Sequence, residues 1–286
     1  MTYLMEINNL GKRYDDFELS GVSLAVEPGC VVGFIGSNGA GKTTTIKAIL
    51  GIIAADAGTV SLFGQPVTCG SAEMDAIKSR IGIVLDTCAF PDTCRVCDVG
   101  AIGRAAYREW DAAQFAALCD RFNLAPKKKV SELSRGMGMK LTLAFALSHN
   151  PELLVLDEAT AGLDPIARDE VLDLLYDFMQ DETHAILLSS HITSDLDKIA
   201  DSVTFVHRGR VLLSGERDEL LDRHGILRCT AEQLKALDPA AVRAVKTGAF
   251  GCEALVRRDG IPENWPVEPV SIEQLMLFLT RGEEVK

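Results

Sequence analysis

The sequence predicts an α/β fold: a mainly parallel sheet flanked by helices, interrupted by an inserted helical lobe and followed by a small α+β unit. Three observations predict it. Short, almost continuously apolar segments of strand length recur and alternate with helical patterns, as in a sheet buried on both faces and crossed by helices. A glycine-rich loop, GSNGAGKT, sits between an apolar strand and an apolar-periodic helix. Between about 92 and 148 the strand signals stop and helical periodicity takes over.

The elements follow in order. Residues 22–35, VSLAVEPGCVVGFI, read as two strand segments broken by Pro28 and Gly29. The glycine loop and its helix, GSNGAGKTTTIKAILGI, come next. Further strands of the same buried sheet are expected at 59–63 (TVSLF), 81–85 (IGIVL), 153–156 (LLVL) and 185–190 (AILLSS). The lobe carries its helical pattern in DAAQFAALCDRFNL and KLTLAFALS. VTFVHRG and RVLLSGE read as a hairpin about Gly209, and DELLDRHG as a short helix ending at Gly225. Residues 226–286 change character: short alternating segments precede a terminal helix, SIEQLMLFLTRG, and GAFGCEALV lies between.

Composition narrows the function classes. The 286 residues are 47% hydrophobic and 24% charged, enough for a true core, yet no stretch approaches the roughly 18 apolar residues that cross a bilayer. The N-terminus MTYLMEINNLGKRYDDFEL has acidic residues where a secretory signal has its apolar core, so a cytosolic chain is expected. A formal charge of −12 repels phosphate backbones, which argues against nucleic-acid partners; Lys127, Lys128 and Lys129 read as a solvated loop. Cys94 and Cys97 form a lone CxxC without a second ligand pair at zinc spacing, and the eight cysteines read as reduced thiols.

GSNGAGKT at 36–43 fits GxxxxGK[ST] fully. Gly36, Gly39 and Gly41 let the backbone curl so that successive N–H groups point at phosphates, while the following helix adds its positive end. The candidate nucleotide contacts are therefore Gly36, Ser37, Asn38, Gly39, Ala40, Gly41, Lys42, Thr43 and Thr44. Lys42 can reach the β- and γ-phosphates, and the Thr43 hydroxyl can ligate Mg²⁺. LLVLDE at 153–158 ends an apolar strand in carboxylates. Asp157 is expected beside the loop as a Mg²⁺ ligand, direct or through water. Glu158 is placed to polarise an attacking water.

LSRGMGMKL at 133–141 raises a different question. Ser134 can cap the helix that follows, but a cap needs neither Gly136 nor Gly138, each costing about 0.5–1 kcal/mol relative to Ala inside a helix. A helix start with a hydroxyl and uncovered N–H groups is an anion site, and the phosphates of this chain's own loop are already cradled.

The order GSNGAGKT, LSRGM, LVLDEAT, AGLD and SSH resembles the ATP-binding cassette (ABC) ATPases over roughly residues 2–225, with LSRGM 24 residues ahead of Asp157 (133 to 157). The resemblance implies a P-loop NTPase fold with an ABC-type antiparallel β subdomain, a nucleotide-binding domain over 1–225 with its helical subdomain at about 92–148, and a small C-terminal accessory domain over 226–286. It implies ATP and Mg²⁺ as cofactors, and ATP hydrolysis with Glu158, His191 and Lys42 as catalytic residues. Tyr14 would stack on adenine. Ser134 and the Gly136 N–H would contact ATP held by a second nucleotide-binding domain, identical or paralogous, and Asp164 would organise that contact.

Some residues depart from the family pattern. Asp86 stands where a Gln is usual; it can ligate Mg²⁺ but cannot donate as an amide does. Arg135 and Met137 replace Gly and Gln of the signature, and Ala159 replaces Pro. LSRGM and the appended tail resemble the ABC-2-type bacterial exporter subgroup. An ATPase subunit docked through its helical lobe on a separate integral-membrane subunit, at the cytoplasmic face, is therefore expected. The alternatives are a soluble ABC machine, for example in iron–sulfur assembly, and a P-loop kinase. A single GSNGAGKT and the acidic charge disfavour ribosomal or DNA machines but leave an iron–sulfur assembly ATPase open, and LSRGM, AGLD and SSH, unexplained in a kinase, disfavour the last.

Overall fold

The computed structural model describes residues 3–70, 73–248, 251–262 and 264–281. Positions 249–250 of the GAFGCEALV segment and residues 282–286 of the expected tail lie outside the described residues. The chain opens with strands β1 (Met5–Arg13), β2 (Glu18–Val26) and β3 (Val31–Ile35), then helix α1 (Lys42–Ile49). β4 (Ala57–Leu62), β5 (Gln65–Pro66), α2 (Glu73–Lys78) and β6 (Ile81–Val84) follow. The lobe consists of α3 (Val96–Ala106), α4 (Ala112–Arg121) and α5 (Arg135–Leu147).

The chain then returns through β7 (Leu153–Asp157), α6 (Pro165–Phe178), β8 (Ala185–Ser190), α7 (Thr193–Ile199), β9 (Ser202–His207) and β10 (Arg210–Glu216). Its last part holds α8 (Arg217–Arg223), β11 (His224–Cys229), α9 (Ala231–Lys235), β12 (Val242–Gly248), β13 (Gly251–Arg257), β14 (Val267–Glu268) and α10 (Ile272–Arg281).

The central sheet has the order β10-β9-β3-β8-β7-β6, parallel except for the β9–β10 hairpin. Every residue of β3, β7 and β8 is buried, which their unbroken apolar runs require. Alternation along these strands splits the interior in two. Val32, Phe34, Leu153 and Val155 face one core, shared with α1 and an antiparallel sheet of order β2-β1-β4-β5. Val31, Ile35, Leu154 and Leu156 face the other, shared with the lobe, α6 and α7.

A third sheet, β12-β13-β11-β14, is antiparallel. Its inner face (Ile226, Ala244, Leu255) and α10 (Ile272, Leu275, Phe278) join the second core at Leu196 and Ile199 of α7. Each such fully buried side chain contributes about 1.5–3 kcal/mol relative to exposure. The outer face (Leu227, Val245, Ala254, Val256) builds a separate small cluster with Leu237 and Trp265.

Two expectations are corrected, and one strand had no reading. TVSLF does not belong to the central sheet: it lies in and just beyond β4, which pairs antiparallel with β1 and is buried only at Val60 and Leu62. A four- or five-residue apolar run does not distinguish one sheet from the other. The helix read to Gly225 stops at Arg223, because His224 and Gly225 already pair with Arg257 and Val256 as the start of β11. Finally, β1 carried no strand reading; its buried residues are interrupted by Asn9 at φ 51 and by two register shifts, which break the period-2 pattern.

Candidate active site

β3 delivers the glycine loop and α1 to the C-terminal edge of the central sheet, where β7 and β8 also end. Such edges are where open α/β sheets bind ligands. Gly36 is required by close approach: a Cβ there would lie 2.5 Å from the Val206 carbonyl oxygen on β9. Gly41 caps α1 at φ 113, a left-handed conformation that only glycine adopts without strain. A cleft of about 550 Å³ opens over the loop, lined by Ser37, Asn38, Gly39, Gly41, Lys42, Thr43, Thr44, Asp86, Asp157, Glu158 and Phe17.

The side chains form a connected line. Lys42, 5% exposed, donates to the Gly36 carbonyl at 2.6 Å and pairs with Glu158 Oε1 at 3.0 Å. The other carboxylate oxygen of Glu158 lies 2.6 Å from His191 Nδ1. Glu158 Oε1 accepts no hydrogen bond, so only the Coulombic contact with Lys42 satisfies it. Glu158 also has φ 55, uncommon for a residue with a Cβ and of order 1–3 kcal/mol in cost. Asp157 is clamped on both oxygens: Thr43 Oγ1 donates to Oδ2 at 2.7 Å and Ser189 Oγ to Oδ1 at 2.8 Å. A hydroxyl and a carboxylate are hard oxygen donors, the set that suits Mg²⁺ completed by phosphate oxygens and water. Asp86, exposed just after β6, lines the same cleft.

Gly36, Ala40 and Tyr14 are not among the residues lining the cleft. Gly36 and Ala40 lie beneath the loop, where a Cβ on Gly36 would meet Ala40 Cβ at 2.9 Å. Tyr14 is 46% exposed at a turn closed by its N–H donating to the Phe17 carbonyl at 2.8 Å, and Phe17 enters the cleft instead. Phe17 and Ser189 escaped sequence reasoning. Ser189 stood inside the SSH stretch, but no spacing rule marks it.

Ser134, Gly136 and Asp164 gather elsewhere. Ser134 caps α5, accepting from the Met137 N–H at 3.3 Å, and is exposed. Asp164 caps α6 by accepting from the N–H groups of Ala167 at 2.9 Å and Ile166 at 3.1 Å. These bonds, from Ala167 first, hold its carboxyl below the usual range. A Cβ on Gly136 would meet Leu163 at 3.6 Å and Ala167 at 3.8 Å, ordinary contact distances, so nothing within the chain demands glycine there. Ile166, 74% exposed, stands on the same surface.

A groove of about 870 Å³ runs between α2 and the lobe. It is lined by Arg80, bonded to Glu152 at 2.5 and 2.6 Å, and by His149 stacked at 3.9 Å on Tyr107. No described helix is long and apolar enough to cross a membrane.

The ABC transporter family model matches residues 19–161. The chain is 34% identical over 249 residues to the Nod factor export ATP-binding protein I of Burkholderia orbicola, covering 84% of this chain and 79% of that protein. It is 32% identical over 227 residues to the bacitracin transport ATP-binding protein BcrA of Bacillus licheniformis, covering 78% and 73%. Among solved structures, an ATP-binding subunit of an ABC transporter superposes with a TM-score of 0.68 at 27% identity, over 76% of this chain and 91% of that one. The fold is also that of cbiO1 from Clostridium perfringens, with a TM-score of 0.66, 24% identity, and 77% and 91% coverage. With an intact phosphate loop, the paired carboxylates after β7 and relatives matched over most of its length, the chain belongs to the ABC transporter family, as one of its ATP-binding, ATP-hydrolysing subunits.

Proposed function

We propose that the chain powers export through a separate integral-membrane subunit, working on the cytoplasmic face of the membrane as a pair of cassettes closed head to tail on ATP. The observation that carries the chemistry is Glu158 suspended between Lys42 and His191. With ATP in the cleft, Lys42 turns from Glu158 to the β- and γ-phosphates. The carboxylate so released takes the proton of a water attacking in line, and His191 orients both that water and the γ-phosphate. The N–H groups of the loop hold the phosphates, and Tyr14 stacks on adenine. Thr43 and Asp157 would hold Mg²⁺, with Asp86 as a further ligand directly or through water; the ion would neutralise charge developing on the phosphate oxygens. The products are ADP and inorganic phosphate.

Gly136 supports the paired arrangement, because its missing Cβ leaves bare backbone that this chain does not use. Ser134 and the Gly136 N–H then meet the γ-phosphate on the partner cassette, and Asp164 shapes the contact. The groove at Arg80, Tyr107 and His149 adjoins the lobe where the membrane subunit would dock. Relatives named for Nod factor export and bacitracin transport support the exporter reading.

The test is co-purification of the tagged native protein in mild detergent. A polytopic membrane protein at fixed stoichiometry is expected; a wholly soluble set of partners would overturn the transport reading.

A further inference from the structure

We propose that Arg135 is a positioning residue for Glu158: its guanidinium lies across Gly162 and holds the 158–164 turn in the conformation that Glu158 requires. The proposal rests on the reading of Glu158 as the base. Arg135 is the first residue of α5, where a cation opposes the helix dipole, and among the described residues it forms no ion pair. Neither helix stability nor a surface ion pair accounts for it. What it touches does: a Cβ built on Gly162 would stand 2.9 Å from Nη1, 3.1 Å from Cζ and 3.4 Å from Nε, so the guanidinium fills the space that a side chain there would take.

The covered turn is strained. Glu158 carries the cost at φ 55, while Gly162, as glycine, takes its φ of 72 freely. Three backbone bonds brace the turn: Glu158 N–H to the Ser189 carbonyl of β8 at 3.0 Å, Ala161 N–H to the Glu158 carbonyl at 3.0 Å and Leu163 N–H to the Thr160 carbonyl at 3.3 Å. The buried Thr160 hydroxyl makes no bond at all. Strained backbone persists only where its surroundings over-determine it, and Arg135 supplies a constraint from outside the turn. Leu163 and Ala167 lie against the same first turn of α5, and Lys140 pairs with Glu170 further along, so α5 touches the end of the turn and α6 at two places.

The test compares Arg135→Ala, Arg135→Gln and Arg135→Lys in the full chain by steady-state ATP turnover, with binding of a fluorescent ATP analogue measured alongside. For Arg135→Ala, kcat is expected to fall about tenfold while KM and analogue affinity stay within about twofold, as displacement of a reacting group predicts. Gln, planar and uncharged, should restore most of the turnover; Lys, charged but not planar, should not. Rescue by Lys and not by Gln would overturn positioning in favour of a charge role, and an unchanged kcat in Arg135→Ala would overturn it outright. If Arg135→Ala does not fold, the Gln and Lys variants decide alone. Glu158→Gln, run in parallel, separates the two readings. Full turnover there removes the base assignment, whereas an inactive Glu158→Gln beside a normal Arg135→Ala removes only the role of Arg135.

Discussion

Glu158 concentrates the unusual features of the site at one residue: a left-handed backbone, a buried oxygen without a hydrogen bond, and contacts to both Lys42 and His191. The sequence marked all three side chains through LVLDE, GSNGAGKT and SSH. It did not mark the direct Lys42–Glu158 pairing, because the two lie 116 positions apart (42 to 158) and only the β3–β8–β7 order brings them together. Glu158→Gln preserves shape while removing the proton acceptor. Turnover is expected to drop by about 10²-fold or more with ATP still bound, and closed dimers should accumulate on size exclusion. Unchanged turnover would show that another group takes the proton. Tyr14 shows the opposite limit of legibility. Only the family pattern marked it, and its side chain is exposed just after β1 while Phe17 lines the cleft.

At the scale of elements, two glycines of similar appearance have different physical reasons. Gly36 is fixed by the approach of β9, so Gly36→Ala should distort the loop and weaken ATP binding. Gly136 has room for a methyl group within the chain. Gly136→Ala should therefore leave thermal stability unchanged or raise it by up to about 0.5–1 kcal/mol, through reduced backbone entropy. ATP-driven dimerisation should nonetheless weaken, as seen by light scattering in a Glu158→Gln background. A destabilised monomer would instead assign Gly136 to packing. Sequence periodicity found α1, α4, α5, α8, α10 and the buried strands, since uniform burial leaves an unbroken apolar run, but it assigned no range to α2, α3, α6, α7 or α9. It failed at β1 and β4, whose bulges and half-exposed faces blur the pattern.

For the whole molecule, two histidines sit inside the packing, outside the proposed chemistry. Burial holds His149 below its ordinary 6.5; its Nε2 lies 3.1 Å from the Ile81 carbonyl oxygen. Burial does the same for His224, reinforced by Arg243, Arg257 and Arg223, although its bond with the Leu220 carbonyl opposes the shift. Between the lowered folded pKa and the unfolded value, the unfolded chain binds more protons. Stability is therefore complete above about 6.5 and declines as pH falls through that window. Melting temperatures measured between about pH 7.5 and 5.5 should fall toward the acid side, and His149→Gln should flatten the slope. An unaltered slope would move the effect to other groups. At this scale the sequence separated the tail from the body, yet gave no sign that the tail's inner sheet face completes the body's own core.

The two tryptophans report on the two sides of that shared core. Trp110 lies in the lobe and Trp265 in the tail, each packed on its own cluster. Because α10 packs against α7, the helix that begins two residues after His191, the tail is expected to melt together with the body. Trp265 fluorescence should follow a single transition with Trp110. Saturating ATP should shift both upward together, since a ligand at about 100 times its Kd adds about 2.7 kcal/mol to everything that unfolds cooperatively with its site. A tail that melted early and ignored ATP would be a separate passenger; one that follows ATP places its tryptophan within thermodynamic hearing of the phosphate loop.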